Sequence, residues 1–161
     1  MTTRRVIEIT ELIALDYYDG PLSGVICTRE DECLIFDTVA RDESTDLKVY
    51  CLAPFTTKAN HLDKIREILR PQIGQGGPLW VPVWQFSSSE SQQKCETEID
   101  DILMLAGEYS MKLITQDLKL GSFSSCSLTR FEKEEALRFR NEKKPLLASD
   151  WIPMELHKPN P

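Results

Sequence analysis

The stretch Leu12 to Pro54, LIALDYYDGPLSGVICTREDECLIFDTVARDESTDLKVYCLAP, decides the fold, because it alternates apolar runs with short polar breaks. Leu12-Ile13-Ala14-Leu15 is apolar up to Asp16. Tyr17-Tyr18-Asp19-Gly20-Pro21 reads as a turn: glycine takes positive φ, and proline fixes its own φ and donates no hydrogen bond. Val25-Ile26-Cys27 resumes the apolar run, and Thr28 to Glu32 is a charged break that is costly to bury. Cys33 to Val39 is the next strand, rich in aliphatic and aromatic residues, and Arg41 to Asp46 is a second charged break. From Leu47 to Leu52 the pattern alternates, with Leu47, Val49 and Cys51 on one face and Lys48, Tyr50 and Leu52 on the other. Connections this short leave no room for a crossover helix, so the strands pair antiparallel.

Upstream, Val6 to Ile9 either begins the first strand or leads into it. Downstream the period changes. Leu62, Ile65, Ile68 and Leu69 fall at helical spacing within Phe55 to Arg70, and Pro71 stops that helix. Gln72 to Pro78 is a loop. Leu79 to Phe86, LWVPVWQF, is extended, and Pro82 assigns it to an edge or an irregular segment. Ser89 and Gln92 form a capping box for a helix from Glu90 to Gly107. Ser110–Thr115 and Leu118–Phe123 read as two short strands or one bent strand, and the serines from Ser122 to Ser127 read as turn residues. Thr129 and Glu132 form a second capping box, opening a charged helix from Arg130 to Lys144. The fold expected is α+β: an antiparallel sheet packed by two or three α-helices. It forms a single domain over 1–145, with an apolar, proline-containing tail over 146–161 that packs on the domain or on a partner.

A chain of 161 residues, 41% hydrophobic and 28% charged, is large enough for one domain with a real core. Its net charge of −7 argues against nucleic acid, whose binding is driven by Lys and Arg neutralising phosphate. Negative charge keeps a protein dissolved and also suits docking on a basic protein partner. No run has the length of a membrane span or a signal peptide, which leads us to expect a cytoplasmic protein. The five cysteines, Cys27, Cys33, Cys51, Cys95 and Cys126, include no C-x-x-C pair and read as thiols of a reducing compartment. Neither they nor His61 and His157 have zinc-ligand spacing, and no cofactor or metal is implied.

Asp37, followed on the next strand by Asp46 and Lys48, is the one candidate catalytic set. An acid on one strand and Asp-x-Lys on the next resemble the core of the restriction-nuclease-like fold. The resemblance implies two carboxylates holding a divalent metal and a lysine supporting an attacking water. That fold also expects a preceding helix and a basic surface, whereas here the preceding segment reads as β and the chain is acidic. The candidates for partner binding are aromatic: Trp80 and Trp84 on the proline-containing edge, Tyr17 and Tyr18 beside the turn, and Trp151 in the tail.

The opening strand, the Tyr18–Pro21 turn and the strand ending at Leu52–Pro54 are similar to an uncharacterised group of small bacterial proteins. The resemblance implies a standalone bacterial cytoplasmic protein and carries no activity. The function expected is protein–protein binding by a small acidic protein, like an immunity protein, an antitoxin or an accessory subunit. A second copy of the chain, in a homo-oligomer, is a further partner compatible with this reading. The alternative is a metal-dependent nuclease or hydrolase using Asp37, Asp46 and Lys48.

Overall fold

The computed structural model describes residues 4–17, 20–54, 63, 79–80, 109–142, 146–147 and 151. Four strands follow one another in the first third: β1 (Arg4–Tyr17), β2 (Pro21–Thr28), β3 (Cys33–Asp42) and β4 (Leu47–Pro54). A short β5 (Leu79–Trp80) is followed by β6 (Met111–Thr115), β7 (Gly121–Ser127), helix α1 (Arg130–Glu142) and a short β8 (Leu146–Leu147).

The first four strands make antiparallel hairpins, as their short connections require. Strand β6 adds antiparallel to β4, and β7 to β6. The decisive pairing is between β7 and β1, which runs antiparallel from Arg4↔Cys126 to Ile9↔Gly121. It joins the last long strand to the first, so β1, β2, β3, β4, β6 and β7 close into an antiparallel barrel in up-and-down order. Strands β5 and β8 add parallel to β1 and β3.

Closure corrects the expectation of an α+β sheet packed by two or three helices. The segment Val6–Ile9 is no lead-in but part of a strand 14 residues long. Register shifts between Ile9 and Glu11 and between Ala14 and Asp16 let this strand coil. Its first half pairs with β7 and its second half with β2. The serines after Gly121, read as turn residues, form strand β7. Leu118 lies in the preceding turn, buried against the barrel interior. Among the described residues α1 is the one complete helix. The expected helix Glu90–Gly107 lies outside the described residues, as does Phe55–Arg70 apart from helical Asp63.

Both faces of the wall are buried where they matter. Ile7, Ile26, Phe36, Tyr50, Leu52 and Leu113 meet inside the barrel and fill it. Phe36 and Tyr50 stack edge to face, with centroids 5.7 Å apart and planes at 80°. Outside, Val49, Cys51, Ala53, Tyr109, Ala136 and Trp151 form a second apolar cluster, where α1 covers the wall. The alternation read in Leu47–Leu52 is therefore present, but each side of β4 meets a core.

The capping box opening α1 is formed. The Glu132 amide donates to Thr129 Oγ1 at 3.3 Å, and the Thr129 amide donates to the Glu132 carboxylate at 2.9 Å. Thr129→Ala should cost about 1 kcal/mol. The loss should appear as a lower urea midpoint with an unchanged slope.

Candidate functional site

A row of polar side chains runs across the outside of the barrel, one from each of five strands. Asp37 on β3 is the register partner of Cys51 on β4, which pairs with Lys112 on β6. Lys112 pairs in turn with Cys126 on β7, and Cys126 with Arg4 on β1. Directly paired residues share a face, so the pleat places these five on one surface. Helix α1 and the residues around it partner the middle of the row. Tyr109 donates its hydroxyl to the Asp37 carboxylate. Lys112 donates to the Glu132 carboxylate and, at 3.3 Å, to the Trp151 carbonyl. The Arg140 guanidinium lies 5.7 Å from the centre of the Tyr109 ring.

This arrangement ties charge to charge rather than exposing a reactive group. Burial pushes the Cys51 thiol up, and the Asp37 and Glu132 carboxylates push it further against the opposing Lys112 ammonium. Cys51 therefore stays a neutral thiol near pH 7 and is a poor nucleophile. Lys112 and Glu132 are a largely buried ion pair, with side chains 10% and 16% exposed. The indole Nε1 of Trp151 is buried without a hydrogen-bond partner.

The three residues of the candidate catalytic set are placed apart. Asp37 shares the outer face with Cys51. Lys48 is three residues from Cys51 on the regular strand β4, so it points to the interior face with Tyr50. There it is buried at one end of the barrel, 2% exposed, close to Gly20, where an added Cβ would stand 2.7 Å from Lys48 Nζ. Gly20 has φ +120°, which side chains rarely adopt, so this approach needs glycine twice over. Nearby, Tyr50 donates its hydroxyl to the Pro21 carbonyl at 2.8 Å. Asp46 lies in the β3–β4 turn at φ 58°, and its exposed carboxylate accepts from Arg41 at 2.7 Å. Asp37 and Lys48 thus face opposite sides of the wall, and Asp46 faces a third partner. Among the described residues no three His, Cys, Asp or Glu side chains are grouped to hold a metal ion.

Of the aromatic candidates, Trp151 is buried in the outer cluster against the chain's own wall, 2% exposed. Tyr17 ends β1, and Trp80 pairs with Ile13 in β5; their side chains lie outside the described residues. Tyr18 and Trp84 lie outside them altogether. Two residues that organise the row, Tyr109 and Lys112, went unnoticed in the sequence. The capping box flagged Glu132 for its backbone role alone; nothing local pairs it with a lysine 20 residues earlier.

Among the described residues no helix is long and apolar enough to cross a membrane. In comparisons with protein-family models, with curated proteins and with solved structures, the chain matches none.

Proposed function

We propose that this protein works by binding, as an acidic cytoplasmic module that docks on a basic protein surface in the manner of an immunity protein, an antitoxin or an accessory subunit. The observation that carries this reading is the net charge of −7. Charge of one sign steers encounter with a surface of the opposite sign and selects against wrong partners. Four structural features support it. The barrel interior is filled by its own apolar side chains. The polar row outside has Asp37 held by Tyr109, and Lys112 by Glu132. The β2–β3 turn presents Glu30 and Asp31 to solvent, with the Glu30 side chain 77% exposed. Phe131, at 67% exposure, offers an aromatic anchor at the start of α1.

The test is reconstitution. Proteins retained by the immobilised chain are identified by mass spectrometry, purified and titrated back by calorimetry at rising salt. A stoichiometric complex with a basic protein, weakening as salt rises, is the expected result. Divalent-metal-dependent cleavage of a phosphodiester by the purified chain, abolished by Asp37→Asn, would overturn the reading.

A further inference from the structure

The β2–β3 hairpin carries two cysteines whose geometry goes beyond the expectation of separate thiols. Cys27 and Cys33 are direct register partners at the end of the hairpin, with their Sγ atoms 2.9 Å apart. The next pair outward, Thr28 and Glu32, is joined by a backbone hydrogen bond from the Thr28 amide to the Glu32 carbonyl at 2.8 Å. Hydrogen-bonded and non-hydrogen-bonded pairs alternate along an antiparallel ladder, so Cys27 and Cys33 occupy a non-hydrogen-bonded position. Cα atoms at such a position are about 4.5 Å apart, inside the range of about 4.4–6.8 Å that a disulfide bridges. The turn is already fixed in the shape the bond needs. The Asp31 amide donates to the Thr28 carbonyl at 3.1 Å, and Asp31 takes φ 58°. This is a type I turn followed by a left-handed residue, a favoured three-residue hairpin loop. The Arg29 amide ties the turn to β1 through the Glu8 carbonyl at 3.0 Å.

We propose that Cys27 and Cys33 are a dithiol that closes reversibly to a disulfide across the β2–β3 hairpin, with a small-molecule disulfide as the oxidant. Cys33 is half-buried and Cys27 is 7% exposed, so Cys33 is the sulfur an incoming disulfide reaches first. The Cys33 thiolate attacks one sulfur of that disulfide, forming a mixed disulfide; the other sulfur leaves and takes up a proton. The Cys27 thiolate then attacks Cys33 Sγ and expels the second small thiol. Two protein S–H bonds and one external S–S bond become one protein S–S bond and two external S–H bonds. The bond clamps the turn that presents Glu30 and Asp31 and whose Glu32 pairs with Arg5. In a reducing compartment it acts as a redox-responsive clamp rather than a permanent staple.

Trypsin provides the readout, because Arg29 lies between the two cysteines. The full chain is equilibrated natively with mixtures of oxidised and reduced glutathione, alkylated and digested. In the reduced chain the peptides Val6–Arg29 and Glu30–Arg41 separate, each carrying one alkylated thiol. In the oxidised chain they stay joined. The linked fraction should rise sigmoidally with the glutathione ratio and fall again on adding reductant. The native chain should reach half-linkage at a ratio at least about tenfold more reducing than the same chain in guanidinium, because the fold holds the thiols together. Cys33→Ser should abolish the link without recruiting Cys51 or Cys126. Peptides that stay separate across the whole series, or native and denatured chains that link at the same ratio, would overturn the proposal.

Discussion

Glu132→Gln should destabilise the protein by about 3–5 kcal/mol, the usual cost of breaking a buried ion pair from one side. The substitution keeps the shape of the side chain, but it leaves the Lys112 ammonium in a largely buried site without its counter-charge. It also weakens the acceptor that closes the capping box on Thr129. The double variant Lys112→Met with Glu132→Leu should recover most of the loss, because an apolar pair avoids desolvating either charge. Urea unfolding of the two variants measures both effects. The same pair gives acid sensitivity with a definite sign. Burial alone would raise the Glu132 carboxyl, but hydrogen bonds from Lys112 and Thr129 outweigh it and hold the carboxyl below its ordinary range. A carboxyl lowered by folding stabilises fully above its unfolded value, about 4.3, and loses that contribution as pH falls through the lower folded value. The parent chain should therefore lose stability as pH drops below about 4.3, and Glu132→Gln should show a flatter profile there. A variant within about 1 kcal/mol of the parent at pH 7 would show that the pair is solvated rather than buried.

Phe36→Ala is the second large effect expected, again about 3–5 kcal/mol. Phe36 is fully buried in the barrel interior and meets the Tyr50 ring edge to face. Removing its ring opens a cavity that a wall pinned by pairing on both sides collapses into poorly. Phe36→Leu keeps most of the volume and should cost less than about 1.5 kcal/mol. Thermal and urea unfolding separate the two. Equal losses for alanine and leucine would mean that the ring geometry, and not the filled volume, is what the interior requires.

Much of the first third was legible in the sequence because its signals are local. The turn at Gly20-Pro21, the charged breaks at Thr28–Glu32 and Arg41–Asp46, and the alternation in Leu47–Leu52 each correspond to a hairpin or a strand face. The Thr129–Glu132 box also marked the start of α1 to within a residue. Closure was not legible, because it depends on a pairing between residues 4–9 and 121–126. The expected strand Leu118–Phe123 overlaps only the first three residues of β7, and the serines beyond it read as turn residues. Propensity favours turns there, and the tertiary context overrides it. Without closure, both faces of β4 could not be recognised as buried, and without the β3–β4 register Asp37 and Lys48 could be imagined on one surface. The pairing of Asp37 with Cys51 separates them, and the polar row of Asp37, Cys51 and Lys112 emerges from register across three strands rather than from spacing within one.

Residue-resolved amide hydrogen exchange along the first half of β1 tests the closed barrel most directly, because Arg4 to Ile9 pair with β7 at the seam that closes it. Consecutive amides of a strand point alternately to its two sides, and the Glu8 carbonyl accepts from the Arg29 amide on the β2 side, so the amides of Arg5, Ile7 and Ile9 point to β7. With the barrel closed through β7 and β1, the amides of Arg5, Ile7 and Ile9 should exchange slowly and through the same global opening as those of Val25 and Ile26, which lie between two paired strands. Amides of Arg5, Ile7 and Ile9 exchanging at the rate of unstructured chain would reveal an open seam between β1 and β7 and contradict the barrel.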